Sequence, residues 1–265
     1  MKGIVNIGNS CYMNSALQLL FNNKDFTKMV NQSQHTVIQT INSNIIKYNT
    51  HHLYNPSEFK QIVKSDQFSG YSQEDSSEFI LKLFDIMDKF IHIDLYKNFG
   101  IETNINIKCK LANCLHETSR EQTELCLHLH IHSTLDESYR EYKSIEVITN
   151  DYVCDNCKNN TIVRKKTVIT TWAPNLLIVL RRFDNMMRKN NNKIDIPLLW
   201  RHSYVLQGGI IHNGHLNGGH YIYFGLENDN WFIANDYHVV PITDINIFLR
   251  NYAANFYVLS YKKKI

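Results

Sequence analysis

Cys11 has the surroundings of a nucleophilic thiol. It follows Ser10, a residue type that caps helices, and the apolar residues after it recur at helical spacing as far as Phe21. The start of a helix carries partial positive charge and unpaired N–H groups, which stabilise the reactive thiolate. Asn6, upstream in a glycine-bounded loop, could donate its amide N–H to an oxyanion. Alternatively, Cys11 is a small buried residue of an amphipathic helix.

His220 is the histidine whose context fits a general base. It opens an alternating run that leads to a turn cluster at residues 227–230 and then to a second strand. A hairpin centred on that turn pairs positions whose numbers sum to about 457, which brings His220 opposite Asn235 and Asp236. Since neighbouring strand residues point to opposite faces, one of these two should orient the imidazole. The alternative is a strand histidine with no chemical role.

Two pairs of cysteines have the spacing of a metal site. Cys154 and Cys157 form a C-x₂-C knuckle, and Cys109 and Cys114 form a second pair with four intervening residues. Four thiolates match a tetrahedral zinc site, and His116 could replace one of them. The N-terminus shows no signal-peptide pattern, which disfavours a disulfide framework. The alternative is that these cysteines are reduced thiols without a metal.

The elements that must position these residues change character along the chain. The hydrophobic pattern predicts helices at 10–21, 56–63 and 76–90, then strands at 101–107, 125–131, 162–172 and 176–180. A polar loop follows at 186–194, and short strands joined by Gly and Asn turns begin at 205. We therefore expect an α+β fold with an extended β insertion between about residues 100 and 172.

Composition sets broader limits. The chain has 265 residues, of which 43% are hydrophobic and 20% charged, so a sizeable core can form and wholesale disorder is excluded. No apolar run is long enough to span a bilayer. The net charge of +3 is too small to indicate a nucleic-acid partner. The basic pair Arg188-Lys189 and the basic tail 262–264 are interpreted as solvated charge without a function.

The segment from Gly3 to Ser15 strongly resembles the cysteine box of the ubiquitin-specific proteases, which are papain-like deubiquitinating enzymes. The resemblance implies that Cys11 is the nucleophile and that Asn6 helps to form the oxyanion hole. The visible departure is Ser10, where the family more often has Thr. Both residues are hydroxyl caps.

Residues around His220 resemble the histidine box of the same family. The matching segments are Gly-Gly-His-Tyr at 218–221, Trp231, and the pair Asn235-Asp236. The resemblance implies that His220 is the base and Asn235 the third triad member, since that member lies four residues after the Trp. Asp236 matches an acidic position that can assist the oxyanion or hold a water.

The resemblance also implies a set of substrate contacts. Gln73, Asp75 and Glu78 lie in a stretch similar to the family box whose acids bind the arginine-bearing tail of ubiquitin. The alternative, which is compatible with it, is that the acids cap the start of a helix. The family binds the two terminal glycines of ubiquitin in a narrow channel. We expect Gly214, Gly218 and Gly219 to form a flexible loop over this channel and Tyr221 to form a flanking wall.

The resemblance covers nearly the whole chain, so we expect one catalytic domain over residues 1–265 and no accessory domain. It implies a right-hand architecture with a helical thumb (1–99), mostly fingers (100–172) and a β palm (173–265). Cys109, Cys114, Cys154 and Cys157 would bind a structural Zn²⁺ in the fingers, although the family usually has two residues between the first pair. Cys126 lies in a strand pattern and is expected in the core.

The expected function is hydrolysis of the bond after the C-terminal glycine of ubiquitin, through a thioester on Cys11. The expected partners are ubiquitin and ubiquitin conjugates, with no nucleic acid, no membrane and no organic cofactor. We expect a monomer that acts inside the cell, in the cytoplasm or nucleus. Two alternatives remain open: a protease for another modifier such as SUMO, and a catalytically silent ubiquitin-binding module. A general papain-like peptidase is a weaker third.

Overall fold

A computed structural model gives the fold of the chain and describes residues 1–65, 67–149, 152–184, 186, 188–215 and 218–264. Within these residues the helices are α1 (Cys11–Phe21), α2 (Lys24–Gln32), α3 (Thr36–Thr50), α4 (Ser57–Ile62), α5 (Ser76–Phe99), α6 (Leu135–Tyr142) and α7 (Ile245–Asn251). The strands are β1 (Gly3–Ile4), β2 (Leu53–Tyr54), β3 (Ile101–Cys109), β4 (Glu117–Glu124), β5 (Leu127–Leu129), β6 (Ile145–Ile148), β7 (Val163–Thr171), β8 (Asn175–Leu180), β9 (Leu199–Trp200), β10 (Tyr204–His215), β11 (Gly218–Glu227), β12 (Asn230–Asn235), β13 (His238–Pro241) and β14 (Phe256–Lys263). The α+β class predicted from the sequence is confirmed.

The central layer is an eight-stranded sheet in the order β13-β12-β11-β10-β14-β8-β5, with β9 also paired to β10. Its strands pair antiparallel, except that β5 runs parallel to β8. All six residues of β8 are buried, because Leu177 and Val179 face the helices while Ile178 and Leu180 face a second core. A strand covered on both faces has a continuous apolar sequence.

The first 99 residues form the helical layer over one face of this sheet. All eleven residues of α1 are buried, and its apolar side chains share a core with α5 and with β11. The helix predicted at 76–90 extends to Phe99 across a kink at Ile91 (φ −138°). Phe90, which the sequence places on the apolar stripe, is instead 37% exposed and stacks on the His35 ring at 3.8 Å. That part of the prediction is wrong, because the buried face of α5 continues beyond the kink through Ile91, Leu95 and Phe99 and leaves Phe90 outside it.

A second sheet projects from this body, with its four strands in the order β4-β3-β7-β6. It is built from residues 101–171, as the predicted β insertion requires. Two elements inside that range lie elsewhere: β5 joins the central sheet, and α6 packs beside it through Leu135. The strand predicted at 125–131 is therefore only three residues long.

Among the described residues, no helix is both long and apolar enough to cross a membrane.

Candidate active site

Cys11 is the first residue of α1 and is 4% exposed. The helix begins there with the hydrogen bond from Asn14 N to the Ser10 carbonyl (2.8 Å). The predicted side-chain cap is absent from this helix. The Ser10 hydroxyl instead accepts from Ile7 N at 2.9 Å, which closes the loop before the helix. Among the described residues no side chain caps this helix, so the backbone N–H groups of its first turn lie uncapped at the Cys11 end.

His220 lies near the start of β11, across from the N-terminus of α1. Its Nε2 atom is 2.6 Å from Oδ1 of Asn235, the last residue of β12. The predicted register of this hairpin is confirmed, because Tyr223 pairs with Ala234 and Glu227 with Asn230. With Nε2 donating to Asn235, the imidazole has Nδ1 available for the thiol of Cys11.

The electrostatics of the site favour a protonated imidazole. Hydrogen bonding to the Cys11 thiol raises the pKa of His220 to about 9, against the opposing effect of burial. The hydrogen bond to Asn235 and the negative charge of Asp236 act in the same direction. A histidine that keeps its proton beside a cysteine is the partner a thiolate nucleophile needs.

Asn6 and Asp236 lie together on the other side of the thiol-bearing helix terminus. Asn6 Nδ2 donates to Asp236 Oδ2 at 2.9 Å, and Asn6 Oδ1 accepts from the backbone N–H of Gly8 (3.1 Å) and of Ser10 (3.3 Å). The amide of Asn6 is therefore oriented through both of its ends. Asn6 is exposed, as a group that meets a substrate must be.

Gln73 bonds directly to the backbone beside His220. Its Nε2 donates to the Gly219 carbonyl, and its Oε1 accepts from Gly219 N at 3.0 Å. This reciprocal pair fixes the glycine that precedes the imidazole. The family resemblance implies that Gln73 contacts the substrate. In the structure its side-chain amide bonds instead to the backbone of Gly219.

The two acids of the same stretch have different environments. Asp75 caps α5 through Ser77 N (2.7 Å) and Glu78 N (3.0 Å), and its other oxygen accepts from the Tyr257 hydroxyl. The capping alternative is therefore confirmed for Asp75. Glu78 is exposed and accepts from Gln67 Nε2 at 2.6 Å. The roles of both acids as substrate contacts stay predictions.

The glycines before His220 are part of paired strands. Gly214 pairs with Gly219, and residues 216–217, between β10 and β11, lie outside the described residues. Gly214 has a φ of +100°, where a side chain would be strained. Tyr221 is buried between His212 (ring centroids 4.5 Å apart) and Tyr257 (6.0 Å). These glycines thus lie in the paired ends of β10 and β11, and the expected flexible loop over the channel stays a prediction.

Three site neighbours have no role in the sequence interpretation. Lys189, assigned there to solvated charge, is half-buried and donates through Nζ to the carbonyls of His212 (2.7 Å) and Gly214 (3.1 Å). Burial lowers its pKa to about 8, so that assignment is wrong. Burial also lowers the pKa of His212 to about 4. The third neighbour is Asn14, which lies three residues after Cys11 and therefore on the same side of α1. This spacing is the sequence signal that could have identified Asn14 as a residue of the site.

The four predicted cysteines come together at the far end of the four-stranded sheet. Cys109 ends β3, and the other three lie in the loops after β3 and after β6. The sulfur atoms of Cys109, Cys114, Cys154 and Cys157 all lie within 4.8 Å of one another. The Sγ atoms of Cys114 and Cys154 are 3.7 Å apart. A tetrahedral zinc with Zn–S bonds of about 2.3 Å would separate its sulfur atoms by about 3.8 Å, so the cluster fits a metal.

The structure also shows the environment of Cys114 and of the two other candidate residues, His116 and Cys126. A hydrogen bond from the Asn156 side chain lowers the pKa of the Cys114 thiol to about 6, which favours the ligating thiolate. His116 is not part of the four-residue group, and its carbonyl accepts from Cys109 N. Cys126 is buried in the core as expected, and burial raises its pKa to about 12.

Solved structures and curated proteins resemble the chain over most of its length. The fold matches a chain in the structure of the SAGA Ubp8/Sgf11/Sus1/Sgf73 DUB module bound to ubiquitin aldehyde, with a TM-score of 0.79 and 20% identity. That match covers 100% of this chain and 70% of the other. The right-hand architecture of thumb, palm and fingers is thereby confirmed.

Among curated relatives are two proteins of Schizosaccharomyces pombe. Ubiquitin carboxyl-terminal hydrolase 15 is 28% identical over 94% of this chain and 25% of its own length. Probable ubiquitin carboxyl-terminal hydrolase 16 is 26% identical over 99% of this chain and 66% of its own length. The chain thus spans a quarter to two thirds of these relatives. The family model described as "Ubiquitin carboxyl-terminal hydrolase" matches residues 2–261. The chain therefore belongs to the ubiquitin carboxyl-terminal hydrolase family.

Proposed function

We propose that this chain is a cysteine protease that cleaves the bond after the C-terminal glycine of ubiquitin. One observation carries the proposal. Cys11 at a helix N-terminus and His220 interact directly, and His220 bonds to Asn235 at 2.6 Å. The oriented amide of Asn6 lies beside the same helix terminus. This arrangement has the nucleophile, base, orienting group and oxyanion donor of a thiol hydrolase.

The first half of the reaction forms a thioester. Nδ1 of His220 takes the thiol proton, while the Nε2–H group keeps its hydrogen bond to Asn235 Oδ1. The Cys11 sulfur then attacks the carbonyl carbon of the terminal glycine. The negative charge that develops on the carbonyl oxygen receives hydrogen bonds from Asn6 Nδ2 and from the Cys11 backbone N–H. The imidazolium gives its proton to the leaving amine as the C–N bond breaks, so the amine leaves neutral.

The second half hydrolyses that thioester. Water takes the place of the departed amine, and His220 accepts one of its protons as the oxygen attacks the same carbon. The tetrahedral intermediate uses the same oxyanion donors and collapses with loss of the Cys11 sulfur. Ubiquitin leaves with a free carboxylate, and Cys11 and His220 return to their starting state.

We infer that the ubiquitin tail approaches along the backbone of Gly218 and Gly219. Gln73 holds Gly219 in place on one side, and Tyr221 is packed beneath. Glu78 is exposed, so its carboxylate is available to an arginine of the tail. The carboxylate oxygens of Asp75 are committed to the α5 cap and to Tyr257, so we expect its role in binding to be indirect.

The globular body of ubiquitin would rest between the two sheets. A polar cleft of about 580 Å³ lies there, and Glu124, His128, Lys165 and Arg181 are among its lining residues. We propose that a structural Zn²⁺ bound by the four cysteines cross-links the two loops at the tip of the four-stranded sheet. We further propose that the enzyme acts as a monomer inside the cell, in the cytoplasm or nucleus, where a catalytic thiol stays reduced.

Turnover of a fluorogenic C-terminal amide of ubiquitin tests the proposal, with the SUMO equivalent measured in parallel. We expect hydrolysis of the ubiquitin substrate, its loss in Cys11→Ala, and its retention in Cys126→Ala, which removes a buried thiol outside the site. Turnover of the SUMO substrate alone would reassign the modifier. Ubiquitin binding without turnover of either substrate would overturn the enzymatic assignment and identify a silent binding module.

A further inference from the structure

Asn14 is a buried polar residue directly beneath the reacting groups. It is 2% exposed and lies one turn of α1 beyond Cys11. Its Nδ2 donates to Asp236 Oδ1 at 2.7 Å and to the Val5 carbonyl at 3.3 Å. Its Oδ1 is buried and has no hydrogen-bond partner among the described residues. A buried acceptor left unpaired costs free energy, so the arrangement calls for a compensating role.

The orientation of this amide is fixed by its neighbours. Both groups that it meets, the Asp236 carboxylate and the Val5 carbonyl, are acceptors. Reversing the amide would place its oxygen against both of them and lose both hydrogen bonds. Asn14 therefore presents its NH₂ group to Asp236, and its unpaired oxygen is the cost of that orientation.

Asp236 passes this orientation on to Asn6. The carboxylate oxygen that does not meet Asn14 accepts from Asn6 Nδ2 at 2.9 Å. The Asp236 backbone is also held, with a φ of +51° and with its carbonyl accepting from Ile4 N at 2.9 Å. One hydrogen of the Asn6 NH₂ group is used by Asp236, and the other remains for an oxyanion.

We propose that Asn14 is a positioning residue for the reaction at Cys11, which acts by holding the Asp236 carboxylate that orients the Asn6 amide toward the oxyanion. The inference rests on the proposed function and adds a residue to it. Asn14 is buried and its side chain bonds to Asp236 in the turn at 236–237, so it acts through Asp236 rather than on the reacting atoms. Its effect belongs to the transition state, where the oxyanion forms, and so to kcat rather than to KM.

Two substitutions separate positioning from simple packing. Asn14→Ala removes the donor, and we expect kcat on the ubiquitin substrate to fall by about ten- to a hundredfold, with KM within about twofold. Asn14→Asp keeps the shape of the side chain but sets two carboxylates together at pH 8, where they repel. At pH 5 one of the pair holds a proton and can donate to the other, so the kcat ratio of Asn14→Asp to wild type should recover by about fivefold or more.

The pH test isolates this pair. His220 on β11 interacts with Cys11 on α1 and with Asp236, and His220 itself is unchanged in the variants. The titration of His220 therefore cancels to first order in the ratio of variant to wild type, and the pH dependence that remains in Asn14→Asp comes from its two neighbouring carboxylates. For Asn14→Ala, which introduces no ionisable group, the same ratio should stay flat from pH 5 to 8.

Asn44→Ala is the matched control. Asn44 is another fully buried asparagine, on α3, and it bonds to Tyr54 and to the Thr40 carbonyl, far along the chain from the catalytic turn. We expect it to lower the melting temperature while kcat stays within about twofold. Wild-type kcat in Asn14→Ala, or a flat ratio for Asn14→Asp between pH 5 and 8, would overturn the inference. If Asn14→Ala does not fold, the isosteric Asp variant decides. An inactive wild-type enzyme would instead contradict the proposed function.

Discussion

Gly219 lies directly against the imidazole of His212, so closely that a β carbon on Gly219 would overlap Nε2 of His212. The same β carbon would stand 2.6 Å from the Asn213 carbonyl oxygen, which is backbone and cannot move aside. His212 is itself 1% exposed. Gly219 precedes His220, and its N–H and carbonyl both bond to the Gln73 side chain. The close contact with His212 therefore fixes the position of the β11 backbone that carries the His220 imidazole.

Gly219→Ala should therefore displace the strand and the imidazole. We expect kcat/KM on the ubiquitin substrate to fall by about a hundredfold, the size of effect that a 1 Å misplacement of a catalytic group produces. Gly70→Ala is the control, since a β carbon at Gly70 meets nothing closer than 3.8 Å and Gly70 lies outside the β10–β11 hairpin. Its kcat/KM should stay within about threefold of wild type. Similar losses in both variants would contradict the proposed contact.

The pH profile should report on the hydrogen bond between His220 and Asn235. The pKa of His220 is raised from 6.5 to about 9, so the imidazolium persists through neutral pH and the alkaline limb of kcat/KM should lie near pH 9. The stability that its interactions give the fold is complete below pH 6.5 and is lost as the pH rises through 9.

Asn235→Ala removes one of the interactions that raise this pKa. We expect its alkaline limb to move to lower pH and kcat/KM at pH 7.5 to fall by about tenfold or more. Asn230→Ala, at the turn of the same hairpin, removes only a hydrogen bond to the Asn228 carbonyl and should leave the profile unchanged. An alkaline limb in Asn235→Ala that coincides with wild type would show that this hydrogen bond does not tune the base.

The cysteine cluster makes a prediction about metal content. Protein purified without chelator should hold about one zinc per chain by elemental analysis, and Cys114→Ser should hold about a tenth of that or less. His116→Ala should keep its zinc, because His116 is outside the cluster. A zinc-free wild type, or loss of zinc in His116→Ala, would contradict the four-cysteine site.

The placement of the candidate residues could be predicted from sequence because it depends on local geometry, while their roles came from the family resemblance. A helix start places Cys11, and counting across one turn brings His220 opposite Asn235 and Asp236, a register that the pairing of Tyr223 with Ala234 confirms. The resemblance then selected Asn235. The Ser10 cap was wrong for a local reason as well, since Ile7 N takes the hydroxyl that the helix would have used.

Contacts between distant segments could not be predicted in this way. Asn14 and Asp236 are 222 residues apart, and Lys189 bonds to carbonyls more than 20 residues away. Helix α3 was not predicted, because its Asn, Thr and Ile residues have modest helix propensity. It forms because the tertiary core buries its apolar face, which consists of Ile38, Ile41, Ile45 and Tyr48.

Reaction with a ubiquitin probe that carries a C-terminal electrophile tests the central claim most directly. The folded and reduced chain should form one covalent adduct, located by mass spectrometry on Cys11, and His220→Ala should form it much more slowly because the base is missing. An adduct on a different cysteine, or no adduct from folded and reduced protein, would contradict the assignment of Cys11 as the nucleophile of a ubiquitin hydrolase.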